Sequence, residues 1–208
     1  PMQEAEWNLI EGTVEAVIYQ NRENGYTVLR LDAGESGGVT VVGCLPGVAP
    51  GERITVRGTW MRHASYGEQF KAETVERRMP AGEKAIFEYL ASGAVRGIGA
   101  ATARRMVEEF GAEALTVLEE HPERLTAIHG VTRKRALAMG ENFRLQMGMR
   151  RLLEFLGAHD VPLQLAMPLY RRYGDQALEA VRANPYLLVD GELGVALSLI
   201  HISEPTRP

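Results

Sequence analysis

Cysteine is nearly absent from this chain: Cys44 is the single one in 208 residues. One thiol excludes an internal disulfide framework and cannot complete a cysteine-built zinc centre; it suggests a reducing, cytoplasmic setting. Lysine is scarce too. Lys71, Lys84 and Lys134 are followed by Ala, Ala and Arg, whereas a Walker A phosphate loop needs Ser or Thr after its lysine. The histidines (His63, His121, His129, His159 and His201) show no metal-ligand spacing. No apolar run approaches the roughly 20 residues that span a bilayer, and the first residues lack a signal-peptide pattern. No membrane partner is expected.

What is present is an ordinary globular mixture, 45% hydrophobic and 24% charged. At this length it suffices for two modest domains with their own cores. The net charge of −4 argues weakly against nucleic acid, because nucleic-acid-binding domains are often basic. Its distribution argues the other way. Residues 1–79 hold 8 Lys/Arg against 11 Asp/Glu, a net of −3, while residues 131–151 hold six basic residues against Glu141 alone, a net of +5. A local basic patch is what meets a phosphate, since distant acids are screened within about 8–10 Å at physiological salt.

The first third reads as five strands: Leu9–Tyr19, Tyr26–Ala33, Val39–Leu45, Arg53–Met61 and Gln69–Arg77 are rich in β-branched and aromatic residues and separated by turn chemistry. Five strands in so short a segment predict a small closed barrel, with the OB-fold the commonest choice and an SH3-like barrel the alternative. After Pro80-Ala-Gly the period turns helical. Helices are expected around 86–90, at 102–110, and near 112–119, 122–127, 132–148, 150–157, 162–173 and 175–183. The fold class is therefore α+β and multidomain: an OB-like barrel over 1–79, tandem helix-hairpin-helix units over 80–148, and a further helical repeat over 149–195.

That last unit is a repeat because a shift of 63 places lays Ala103–Leu125 over Ala166–Leu188, matching Gly111 with Gly174, Leu115 with Leu178 and Pro122 with Pro185. Residues 196–208 do not fit this pattern. Leu197-Ser-Leu-Ile-His-Ile-Ser-Glu-Pro-Thr-Arg207 resembles a translated transposase sequencing adapter over eleven consecutive residues, so a non-native tail is expected and the natural sequence should run to about Ala196.

Two hairpins carry the chemistry. Val95-Arg-Gly-Ile-Gly99 leads into Thr102, Arg104 and Arg105, and Ile128-His-Gly-Val-Thr132 leads into Arg133, Lys134 and Arg135. Turns of this hydrophobic-x-Gly-hydrophobic-Gly type let backbone come close to a phosphate, with the amides of the hairpin and next helical turn aimed at it. Such contacts hold a sugar-phosphate backbone without reading bases. A plain αα-hairpin would use glycine as well, but two copies about 33 residues apart and the placement of charge favour DNA. Arg133, Lys134 and Arg135 stand in a helix's first turn, where the dipole disfavours each cation by roughly 0.3–1 kcal/mol. A bound phosphate offsets that cost. The candidate contacts are Gly97, Ile98, Gly99, Thr102, Arg104, Arg105, Gly130, Thr132, Arg133, Lys134 and Arg135. Thr132 stands where the pattern prefers Gly, and its hydroxyl is available to cap the helix.

In the barrel, Tyr19, Tyr26, Trp60, Tyr66 and Phe70 accompany Arg57, Arg62 and Lys71. Such sets can stack bases, though core filling is the expectation for most of these rings. No catalytic constellation is visible: Glu108-Glu109 and Glu119-Glu120 read as solvated helix faces.

Several of these segments resemble one family. Gly12-Thr-Val-Glu, Asn24-Gly-Tyr-Thr-Val-Leu-Arg30, Val42-Gly-Cys-Leu-Pro-Gly-Val-Ala-Pro-Gly51, Tyr66-Gly-Glu-Gln-Phe-Lys71, Tyr89-Leu-Ala-Ser-Gly93 through Gly99, and Asn184-Pro-Tyr186 are similar, in order and spacing, to the N-terminal region of RecD-like (YrrC-type) DNA helicases. The resemblance runs from about Leu9 to Val189. It implies the front of an ATP-dependent 5′–3′ helicase of DNA repair or recombination, with its Walker motifs further along the parent chain. It also implies DNA, single-stranded or junction-containing, as partner, with backbone contacts on Gly97, Gly99 and Gly130. ATP and Mg are expected for the full-length parent and no cofactor for this stretch. A Holliday-junction-binding protein of the RuvA type shares the order of barrel and paired hairpins and stays open as an alternative, as does a protein-interaction module.

Overall fold

The computed structural model describes residues 7–189; the suspected tail at 196–208 lies outside them. The five expected strands form: β1 (Asn8–Gln20), β2 (Tyr26–Asp32), β3 (Gly38–Cys44), β4 (Arg53–His63) and β5 (Gly67–Arg78). Alternation decides their faces. In β2, Thr27, Leu29 and Leu31 are buried while Tyr26, Arg30 and Asp32 are exposed, as a strand with one core-facing side requires.

The strands close in the order β1-β2-β3-β5-β4, returning to β1. Every pairing is antiparallel except β3 with β5, which run parallel through Val41–Phe70 and Val42–Lys71. This is the OB arrangement, and it removes the SH3-like alternative. Register shifts between Val14 and Ala16 and between Val17 and Tyr19 bend β1, so its first half pairs with β4 and its second with β2. Bulges are the usual means of turning a barrel's corner.

The helical part comprises α1 (Glu83–Ala91), α2 (Ala100–Phe110), α3 (Ala114–Glu120), α4 (Arg133–Ala158), α5 (Ala166–Tyr173) and α6 (Ala177–Ala183), with short 3₁₀ turns between several of them. The repeat is real in three dimensions. A helix, a 3₁₀ turn at 111–113, α3 and a proline-led 3₁₀ turn at 122–127 recur as α5, a 3₁₀ turn at 174–176, α6 and a proline-led turn at 185–188.

One expectation needs correction. Residues 132–148 and 150–157 do not form two helices; α4 runs unbroken for 26 residues. Gly148 signals close packing instead of a stop: a β-carbon there would lie 3.0 Å from Asp175 Cα. The helical period carries on through Met147, Met149 and Arg150, all buried. The units suggested at 80–148 and 149–195 thus share one helix.

That helix also links the two cores. Its first half contributes Ala136, Met139 and Phe143 to a cluster with Tyr89, Leu90, Met106 and Leu118. Its second half gives Leu152, Leu153 and Leu156 to the barrel's cluster with Leu29, Leu31, Ile54 and Phe70, which α5 and α6 join through Leu169 and Val181. The terminal helices therefore pack on the barrel's core. At the junction Glu52, fully buried, accepts from Arg77 Nε at 3.0 Å and Nη2 at 3.1 Å, from the Ala49 amide at 2.6 Å, and from Arg150 of α4.

Candidate nucleic-acid interface

The two hairpins are built alike. Val95 and Ile98 are buried, as are Ile128 and Val131, and each pair plugs its turn into the helical core. The Ile98 amide donates to the Val95 carbonyl at 3.2 Å, and the Val131 amide to the Ile128 carbonyl at 3.1 Å. Between them Gly97 and Gly130 stand exposed with φ of 92° and 85°. Gly130 and Gly99 face open space, with no atom within 4 Å of where a β-carbon would sit. An anion can approach this backbone closely.

The helices that follow begin differently. Gly99 precedes α2 in extended conformation and provides no side-chain cap. The amides of the first turn of α2 have no carbonyl one turn back to bond, so they are directed outward. Thr132 caps α4, its Oγ1 accepting from the Arg135 amide at 3.2 Å. The hydroxyl thus takes one amide that glycine would have left for a ligand.

The cationic side chains divide into two groups. Arg105 of α2 donates to the His129 carbonyl at 3.2 Å, and Arg135 to the Gly130 carbonyl at 2.8 Å, so one arginine from each unit grips the second hairpin. A shallow groove of about 310 Å³ brings Arg96 and Gly97 together with Arg135. Arg133 and Lys134 are exposed beside it. Arg104 turns elsewhere, its guanidinium 6.0 Å from the Phe87 ring, and Thr102 is half-buried.

The basic run over 131–151 is narrower than its composition suggests. Arg144 bonds the Glu119 carbonyl at 3.2 Å, Arg151 bonds the Glu119 carboxylate at 3.1 Å, and Arg150 is buried on Glu52. Arg144 and Arg151 stay exposed but are bonded to Glu119 at the end of α3, whereas Arg133 and Lys134 in the first turn of α4 face solvent. Arg96 also belongs to the surface; its signal in the sequence is its place inside the hairpin, one residue before Gly97.

The barrel's aromatics also depart from expectation. Phe70 is fully buried, but Tyr19, Tyr26, Trp60 and Tyr66 are exposed. Tyr19 and Tyr26 lie 6.4 Å apart between ring centres, and Trp60 meets Phe70 edge-on at 5.3 Å. They occupy outward positions of strands or the β4–β5 turn, which composition alone does not reveal.

Two family models match the chain. Residues 8–80 match the OB-fold domain of the ATP-dependent DNA helicase YrrC, and residues 145–197 match the helix-hairpin-helix domain of the ATP-dependent RecD2 DNA helicase. Both matches, in this order, support an N-terminal region like that of RecD-like DNA helicases. The chain is 27% identical over 190 residues to the ATP-dependent RecD2 DNA helicase of Deinococcus radiodurans, an alignment covering 88% of this chain and 26% of that protein. It therefore spans about a quarter of that relative's length. A solved S. pombe Stn1-ten1 complex is similar at 21% identity and a TM-score of 0.29, covering 35% of this chain and 57% of that chain; a score so low carries no argument. The helix-hairpin-helix match begins inside α4 and includes the terminal repeat, so the family's helical unit contains the segment that packs on the barrel. No helix among the described residues is long and apolar enough to cross a membrane, and no group of three or more His, Cys, Asp or Glu among them is placed to hold a metal ion.

Proposed function

We propose that this chain is the DNA-gripping front of an ATP-dependent 5′–3′ DNA helicase, acting in DNA repair or recombination in the cytoplasm. Two like hairpins hold the sugar-phosphate backbone through Gly97, Ile98, Gly99, Gly130 and Thr132, with Arg133, Lys134 and Arg135 supplying charge. Arg105 flanks this surface by bracing the second hairpin, while Arg104, turned to Phe87, and half-buried Thr102 contribute less. The observation that carries the reading is the pairing of open glycine turns with cations at a helix N-terminus. Such cations are destabilising there by roughly 0.3–1 kcal/mol each unless an anion joins them. ATP and Mg belong to the longer parent; with no lysine followed by Ser or Thr, this stretch has no phosphate loop to hold them.

The test is the double variant Arg133→Ala, Lys134→Ala. It should weaken binding to all DNA sequences about equally and flatten the log–log salt slope by roughly one to two units, as loss of phosphate contacts requires. Unchanged affinity and slope would remove the second hairpin from the interface.

A further inference from the structure

A large cleft lies between the barrel and the helices, and its edge reaches Arg96 of the first hairpin. It encloses about 820 Å³, within the ~300–1,000 Å³ usual for ligand sites. The β1–β2 turn, the β3–β4 loop, the α1–α2 connection, α4 and α5 all contribute to its wall.

Its charge is one-sided. Arg22, Arg77, Arg96 and Arg150 line it, and no Asp or Glu does. Beneath the floor, Arg77 and Arg150 share the single carboxylate of Glu52, which leaves one positive charge in excess. Burial, and then the neighbouring Arg77, push the Arg150 guanidinium below its ordinary range, with Glu52 opposing them. A buried cation without full compensation is costly, and an anion in the cleft would lower that cost. Arg22 and Arg96 are exposed and flank this floor from the barrel side and the helical side.

The remaining wall is mixed, with polar Gln20, Asn21, Ser92 and Gln146 beside apolar Val17, Val48, Met149 and Met167 and the ring of Tyr170. A site for inorganic phosphate would need the cations alone. Cations beside an aromatic ring and hydrogen-bonding side chains suit a nucleotide, whose phosphate takes the charge while its base packs on the ring. Arg171 donates to the Glu23 carbonyl at 2.7 Å and ties α5 to the β1–β2 turn, holding the two sides of the wall together. The volume admits one strand and excludes a duplex.

We propose that the cleft between barrel and helices is a second nucleic-acid site, which takes a single strand with a phosphate between Arg22 and Arg96 and a base against Tyr170. The site stands on charge and shape; its ligand class rests on the DNA-binding reading.

The decisive variant is Arg22→Glu in the full chain, an exposed side chain in a turn, with the hairpin double variant alongside. The probes are a labelled oligo-thymidine strand and a blunt duplex. Arg22→Glu should weaken single-strand binding by roughly ten-fold and flatten its salt slope by about 0.7 or more, the share of one phosphate on a single strand. Duplex binding should hold within about two-fold. If Arg22→Glu binds the strand as tightly as the parent while the hairpin variant weakens, the cleft is overturned and the hairpins stand. If the parent binds neither probe, both readings fall. Equal loss on strand and duplex would make Arg22 a general electrostatic contact and overturn a single-strand site.

Discussion

Gly111 and Gly174, 63 residues apart, end their helices in one backbone conformation: φ 56°, ψ −135° at the first and φ 58°, ψ −134° at the second. The residues before them agree as closely, Phe110 and Tyr173 both at φ −113°, ψ −9°. The same turn has been used twice, and both copies hold geometry that an L side chain resists.

Gly111→Ala and Gly174→Ala should each destabilise the chain by about 1–3 kcal/mol, the usual cost of a side chain held in a sparsely populated region. A β-carbon at Gly174 meets nothing within 4 Å, whereas at Gly111 it would lie 2.9 Å from Glu83 Oε1. Because that carboxylate can swing away, the two losses should be similar, with Gly111→Ala the larger. Urea midpoints at unchanged m-value measure both. A neutral result at Gly174 would mean that the turn relaxes.

This pair also shows what the sequence could reveal. The barrel and the repeat were readable because they rest on local signals: β-branched runs between turn residues, and Gly and Pro at fixed offsets. Paired hairpins were readable for the same reason. The continuity of α4 was not, because Gly148 has the composition of a stop and the packing of a contact. Nor could sequence tell that Arg150 is buried and that Arg144 and Arg151, though exposed, are bonded to Glu119, since that depends on what α4 lies against. The cleft joins residues from opposite ends of the chain, Arg22 and Tyr170 among them, and no spacing encodes that.

Glycines within α4 should respond to alanine in opposite ways. Alanine ordinarily gains about 0.8–1.0 kcal/mol over glycine in a helix interior. At Gly140 its β-carbon would lie 2.6 Å from Pro122 Cβ, and forcing a core apart costs about 1–3 kcal/mol. The clash should win, making Gly140→Ala destabilising. At Gly157 the nearest atom, Thr74 Cβ, is 3.7 Å away, an ordinary contact. Gly157→Ala should stabilise by about 0.5 kcal/mol, less than the full amount because the position lies in the last turn. Thermal or urea unfolding separates the signs; a gain at Gly140 would show that α4 can move off Pro122.

Glu52→Gln should be among the most damaging single changes. It preserves shape but leaves Arg77 and Arg150 buried with no counter-charge, a loss of about 3–5 kcal/mol when one partner of a buried ion pair is removed. Arg150→Met in that background should recover part of the loss, since it removes one stranded cation. A double-mutant cycle measures this coupling. An additive result would mean that water reaches the triad and solvates each charge separately.

Cys44 should be chemically silent in the folded chain. It is buried against the Leu163 carbonyl, 3.5 Å from its Sγ, and burial pushes its thiol up from 9.0 to about 12. The thiolate is the nucleophile, so at pH 8 a disulfide reagent should label the native chain far more slowly than the chain in denaturant. The sign for stability follows. Below about pH 9 both folded and unfolded thiols hold their proton and pH has no effect through this group. Between about 9 and 12 the unfolded thiol ionises and the folded one does not, so stability falls as pH rises. Cys44→Ala would remove that alkaline dependence while costing some core packing. If the variant and the parent lose stability in parallel above pH 9, another group governs the alkaline limb, and Tyr89, whose hydroxyl burial raises from 10.0 to about 12, is the next to replace.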